Sequence, residues 1–232
     1  KMKKESADAS EEWRKSIAAT GETSRTLNDK LEKAGAAGIV SSYWSKGFGV
    51  NKIFAAGTKT IPVVDISLED YGQLYRMIQH GKTPKLKINA QSKGKGTVPA
   101  FNTVAVIKGS EKPEEYVILS GHLDSWDGGT GATDNGTGTI TMMEVARILK
   151  KQYPNPKRTI VVGLWGSEEQ GLNGSRGYVW AHKEKMPNVQ AVFNQDNGTG
   201  RIANISGQGF VHSYDYIGRW LGAVPNELTK DI

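Results

Sequence analysis

Two runs, "EYVILSGHLD" (115–124) and "RTIVVGLWGS" (158–167), restrict the possible folds of this chain more than any other feature. Each contains a continuous apolar stretch, 116–119 and 160–165, without the alternation of a strand that has one wet face, so each must be covered on both sides. The stretches "GTITMMEVARILKKQ" (138–152) and "LNGSRGYVWAHKEK" (172–185) have helical spacing of apolar residues. "NTVAVIKG" (102–109) and "VQAVFNQD" (189–196) read as further strands, and "RIANISG" (201–207) as a possible one. Strands alternating with helices predict an α/β fold, a mainly parallel mixed sheet with helices on both faces, over residues 98–232.

The preceding residues, 1–97, have a different rhythm. They begin helical and polar to about residue 34, with "SRTLNDKLEKAGAAG" an amphipathic helix ended by Gly35 or Gly38. "AGIVSSYW" and "IPVVDIS" then read as short strands, "LEDYGQLYRMIQHG" as a helix closed by Gly81, and "KLKINAQ" as a third strand. This is a smaller α/β or α+β module.

The net charge of +6 is carried by the first part: residues 1–100 hold 17 Lys and Arg against 10 Asp and Glu, and the remainder 13 against 14. The densest basic stretch, "KTPKLKINAQSKGK", has no interleaved aromatics and no groove-binding motif, so it reads as a lysine-blunted edge strand and not as a nucleic-acid surface. No apolar run approaches the length of a membrane span, and no export signal is visible at the start of the sequence. There is no cysteine, so any metal chemistry must use His, Asp and Glu.

In open α/β sheets ligands gather beyond the carboxyl ends of the strands. There the sequence places His122 and Asp124, Glu168 and Glu169, and Asp196, while the Gly-rich loop "GGTGATDNGTG" adds Asp134. So many acids on one rim would repel each other without a cation. His with oxygen donors and no sulfur suits zinc, and also admits manganese or cobalt. Residues two apart on a strand share a face, so Asp124 can accept the second ring N–H of His122. Glu168 and Glu169 are adjacent and point differently, which lets one bind metal while the other faces the substrate. The division suits hydrolysis: a metal-bound water is acidified, and a free carboxylate passes its proton to the leaving amine.

Taken singly, each feature has an ordinary structural explanation. A His-x-Asp is commonly a satisfied pair, an adjacent Glu pair commonly opens a solvated helix, and an Asp after a strand commonly caps one. The Gly-rich loop follows a strand and precedes a helix, but matches neither G-x-G-x-x-G nor a P-loop, and its acids would repel phosphate.

Together, "SGHLDSWDGGTGATDNGTGT", "GLWGSEEQGLNGSRGY" and "NQDNGTG" resemble the co-catalytic zinc exopeptidases of the aminopeptidase/glutamate carboxypeptidase family, and most of all its carboxypeptidase Q branch. "LEKAGAAGIVSS" and "TIPVVDIS" are similar to the protease-associated domain inserted in that family, and the whole resemblance spans roughly residues 25–210. It implies a phosphorylase/hydrolase-like catalytic fold over 98–232 and a protease-associated module over 1–97. It also implies two zinc ions, one held by His122, Asp134 and Asp196, with Asp134 bridging to a second held by Glu169. Glu168 matches the general base, Asp124 the residue that orients His122, and the Asp134–Asn135 peptide is expected to be cis.

The implied activity is removal of terminal residues from small peptides or dipeptides by a secreted or periplasmic enzyme, with homo-oligomers possible. The family closes its second zinc site with a histidine well downstream of the Asp196 motif, and the sequence ends at Ile232. The resemblance therefore predicts either a fragment lacking its last strands or a weak or absent second site. His212, the only histidine after Asp196, does not match that ligand. A noncatalytic binding module with an incomplete metal site is the competing reading, opposed by the retention of both glutamates. The N-x-S/T patterns at Asn135, Asn173, Asn197 and Asn204 read as loop residues and not as glycan acceptors.

Overall fold

The computed structural model describes residues 15, 18–42, 57–89, 91, 93–126, 129–196, 198–230 and 232. Most of the polar N-terminal stretch, the end of the "AGIVSSYW" run and Asn197 lie outside them. The chain divides into two compact units, Lys1–Val98 and Pro99–Ile232.

In the first unit, helix α1 (Ser24–Lys33) begins with a reciprocal cap. Thr23 Oγ1 accepts from the Thr26 N–H, and Thr26 Oγ1 accepts from the Thr23 N–H. The helix ends at Gly35, whose φ of +89° favours a residue without Cβ. Strands β1 (Ile39–Ser41) and β2 (Val63–Asp65) pair in parallel. The turn entering β2 is tied to α1 by Glu32, whose carboxylate accepts the backbone N–H of Lys59, Thr60 and Ile61 and the Thr60 hydroxyl at 2.6–3.1 Å. The Thr60 hydroxyl first, then the backbone donors, hold the Glu32 carboxyl down to about 2. Helix α2 (Leu68–Gln79) starts at Ser67, which accepts the Asp70 N–H, and carries Glu69 and Asp70 in its first turn. The expected third strand, "KLKINAQ", is not found: its described residues belong to no strand, and Leu86 and Ile88 are exposed. Alternation of apolar and basic residues is not by itself enough to make a strand.

The second unit is a four-stranded mixed sheet in the order β3–β5–β4–β6. Strands β4 (Lys112–His122), β5 (Arg158–Trp165) and β6 (Val189–Asn194) are parallel, and β3 (Thr103–Ile107) runs antiparallel to β5. Helix α3 (Thr137–Gln152) sets Met142, Val145, Ala146 and Leu149 against Leu119, Ile160, Val162 and Leu164. That spacing of three, four and seven residues is one helix face. Helix α4 (Asn173–Ala181) covers the other side, where Tyr178 packs with Ile118, Val161 and Trp165, its ring centroid 5.0 Å from that of Trp165. The central strands β4 and β5 are thus covered on both faces, as their continuous apolar runs require, whereas Val104 and Val106 of β3 and Val192 and Phe193 of β6 are exposed. The stretch 201–207 is not a strand, and Ile202 and Ile205 are exposed. Two short helices follow, α5 (Ser213–Leu221) and α6 (Asn226–Thr229). No described helix is long and apolar enough to cross a membrane.

Candidate metal centre

Strand β4 ends on His122, whose side chain is only 2% exposed. The buried Thr139 hydroxyl, in the first turn of α3, donates to the His122 carbonyl at 2.8 Å. His122 Nε2 lies 3.1 Å from Asp134 Oδ1 and 3.3 Å from Asp196 Oδ1. Asp134 comes from the loop between β4 and α3, at a kink where Asp134 and Asn135 both depart from helical geometry, and its peptide to Asn135 is cis. Asp196 stands two residues beyond β6. Side chains separated by up to 74 residues thus converge because β4 and β6 are parallel neighbours with their carboxyl ends at one rim.

The second convergence involves Glu168 and Glu169, just beyond β5. Each offers a carboxylate oxygen that, with a His122 ring nitrogen, forms a group with all members within 4.8 Å of one another. His122, Asp134 and Asp196 form the other such group among the described residues. One carboxylate oxygen of each glutamate lies within 4.8 Å of a His122 ring nitrogen, and Glu168, unlike Glu169, also lines the cavity described below. Asp134 and Glu169 fall in different groups.

Asp124 acts differently from the sequence expectation. Its carbonyl oxygen is the nearer partner of His122 Nδ1, at 3.0 Å, and its carboxylate is 3.6 Å away. The carboxylate instead accepts the backbone N–H groups of Glu168 and Glu169, at 2.9 and 3.2 Å. Asp124 therefore holds the imidazole with its backbone and the glutamate pair with its side chain. Residue 167 helps to aim that pair: Ser167 has φ +56°, an unusual conformation for a residue with a side chain, at the turn where β5 gives way to Glu168.

The charges act on one another. Burial alone would push the His122 pKa down, but the nearby Asp196 and Glu168, the hydrogen bond to the Asp124 carbonyl and the Asp124 charge together hold it above its ordinary value. Burial raises the Glu168 carboxyl. His122 opposes the rise, while Asp196, Glu169 and Asp124 add to it. A carboxylate whose affinity for a proton is raised is a stronger base, which suits a group that takes up a proton and hands it on.

His122, Glu168 and Asp196 open onto a cavity of about 230 Å³, walled also by Trp165, Leu172 and Val192. A larger depression of about 290 Å³ lies at the opposite ends of the strands, beside Tyr116, Tyr178 and His182. Its lining includes no carboxylate, so the chemistry belongs to the smaller one. His212 is 87% exposed beside Asp215 and belongs to neither metal-binding group. Asn135, noted in the sequence for its sequon and for the expected cis peptide to Asp134 but not for its amide, is buried at 2% exposure with both ends of that amide hydrogen-bonded. Only the tertiary position of Gln195 gives it that role, so no local signal marked it.

Residues 102–215 match the model of peptidase family M28, an interval that contains every residue of the cluster. The chain is 38% identical over 158 residues to carboxypeptidase Q of Bos taurus and of Homo sapiens, covering 68% of this chain and 33% of each relative. It therefore spans about a third of the length of these relatives. A peptidase M28 precursor from Shewanella amazonensis SB2B superposes with a TM-score of 0.60 at 28% identity, over 81% of this chain and 45% of that one. BSAP, a zinc aminopeptidase from Bacillus subtilis, gives a TM-score of 0.50 at 26% identity, over 76% of this chain and 42% of that one.

Proposed function

We propose that the chain carries the metal-binding and proton-transfer residues of a zinc exopeptidase acting on small peptides. The observation that carries this reading is the approach of two carboxylates, Asp134 and Asp196, to the same ring nitrogen of a buried histidine. The donor set of one imidazole and two carboxylates, with no sulfur, fits zinc. His122, Asp134 and Asp196 would hold one ion, and Glu169 would contribute to a second. When bound, zinc supplies a Lewis acid that polarises the scissile carbonyl and makes a nearby water more acidic.

The chain's own residues supply the remainder. Glu168, held by the bond from its N–H to Asp124, takes a proton from water on its carboxylate and delivers it to the leaving amine. Asp124 keeps His122 oriented through its carbonyl and keeps both glutamates in place through its carboxylate. The cavity beside Trp165 and Leu172 receives part of a short substrate and sheds water from it. The similarity of the first unit to a protease-associated module, secretion or periplasmic location, and homo-oligomer formation belong to the same proposal and rest on the sequence resemblance.

The test is zinc content and dipeptide hydrolysis for the chain and for Glu168→Gln. The variant should keep its zinc and lose about a hundredfold or more in turnover, the usual scale for a general base. Unchanged turnover would remove Glu168 from the mechanism. A chain that binds zinc and peptide without hydrolysing any dipeptide would favour the noncatalytic reading.

A further inference from the structure

We infer that Asn135 is a positioning residue for the metal centre: its side-chain amide ties the segment carrying Asp134 to the segment carrying Asp196. The inference rests on the zinc reading above and adds what sets the spacing of two of the proposed ligands.

Asn135 and Ser120 are the largest fully buried side chains among the described residues. A buried amide persists where both of its ends find partners. Asn135 Nδ2 donates to the carbonyl of Gln195 at 2.9 Å, directly before Asp196, and Asn135 Oδ1 accepts the Gly138 N–H at 3.0 Å, in the first turn of α3. Gln195 is fixed from its other side as well, because its N–H donates to the Ser120 carbonyl of β4 at 2.9 Å. One amide therefore joins the loop, the first turn of a helix and the end of β6.

The surroundings are shaped to this amide. A Cβ on Gly138 would lie 2.2 Å from Asn135 Oδ1 and 2.4 Å from the Gln195 carbonyl, so only glycine lets the three segments close together. Thr137 adds a second tie nearby, its hydroxyl 2.8 Å from the Thr133 carbonyl and 3.1 Å from that of Gly198. Asp134 and Asp196 remain partly exposed, at 29% and 30%, and as like charges would move apart if their backbones were free. Holding those backbones together before an ion arrives lowers the cost of capturing it.

The experiment measures zinc affinity by competition with a chromogenic chelator, and the melting temperature of the zinc-free form, for the full chain and three variants. Asn135→Asp keeps the volume and the acceptor for Gly138 but replaces the donor to Gln195. Asn135→Ala removes both bonds. Thr159→Val is the stability control, because Thr159 is buried and bonded to Pro113 and Gly109 at the opposite end of β5.

Both Asn135 variants should bind zinc about ten- to hundredfold more weakly, the usual cost of losing a group that supports a ligand. Thr159→Val should lower the melting temperature and leave zinc affinity unchanged. Asn135→Asp with parental zinc affinity would overturn the inference, and so would an equal loss of affinity in Thr159→Val. An Asn135→Asp chain too unstable to purify would overturn it too, since the amide would then serve the fold and not the site. A parent chain that captures no zinc removes the zinc reading and this inference together, whereas a zinc-binding parent with an unaffected Asn135→Asp removes this inference alone.

Discussion

In the unit over 99–232, Leu119, Met142, Ile160, Val162 and Leu164 are buried between sheet and helix, and Ile118, Val161 and Trp165 on the opposite face. In the unit over 1–98, Ile39 is the single buried apolar residue among those described, and a surface carboxylate, Glu32, ties helix α1 to the turn before β2. One region is held by packing on both sides of a sheet, the other largely by polar contacts at its surface. The cluster of acids lies in the first of these, because bringing like charges to one rim requires strands that do not shift under the repulsion.

The largest effect expected from this contrast is on packing. Leu119→Ala should destabilise its unit by about 3 kcal/mol, within the range for a leucine deleted from a closed core, whereas Ile39→Ala should cost about 2 kcal/mol or less because Ile39 belongs to no cluster of buried apolar residues among those described. Urea denaturation followed by tryptophan fluorescence and circular dichroism checks the order. Equal costs would break the contrast. Gly138→Ala should follow at about 2 kcal/mol, the range for overpacking, and should also weaken zinc capture because its methyl group displaces Asn135. Melting temperature and chelator competition on the same sample read both effects.

The smallest effect belongs to the first unit and depends on pH. The Glu32 carboxyl is held down to about 2 by Thr60 and the backbone donors at Lys59, Thr60 and Ile61, well below the ordinary value near 4.5. Its contribution is complete above that ordinary value and is lost as pH falls through about 2. The parent should therefore lose first-unit stability across that interval, and Glu32→Gln should show a smaller dependence, the remainder coming from groups such as Glu22, whose carboxyl is also held down, by Lys30 first. Amide exchange at Lys59, Thr60 and Ile61 should also be faster in the variant at neutral pH; unchanged exchange would remove the tie.

The sheet was legible because runs such as 116–119 and 160–165 are apolar without interruption, and only a strand covered on both faces needs that. The rim residues were legible because a strand that ends in His or Glu puts chemistry where α/β sheets bind ligands. "KLKINAQ" and "RIANISG" misled because a few alternating apolar residues satisfy the strand pattern, while pairing depends on an edge that the sequence does not reveal. The carboxylate of Asp124 bonds to amides 44 and 45 residues away, and the amide of Asn135 to a carbonyl 60 residues away. Neither has a local signature, since each exists only once β4, β5 and β6 are assembled.

The central claim is that His122, Asp134 and Asp196 form one zinc site, and zinc titration of the chain against His122→Ala tests it most directly. The account predicts zinc capture by the parent and a loss of affinity of about a hundredfold or more in the variant, at the upper end of what supporting groups cost and appropriate for a direct ligand. Equal zinc affinity in the two chains would contradict it.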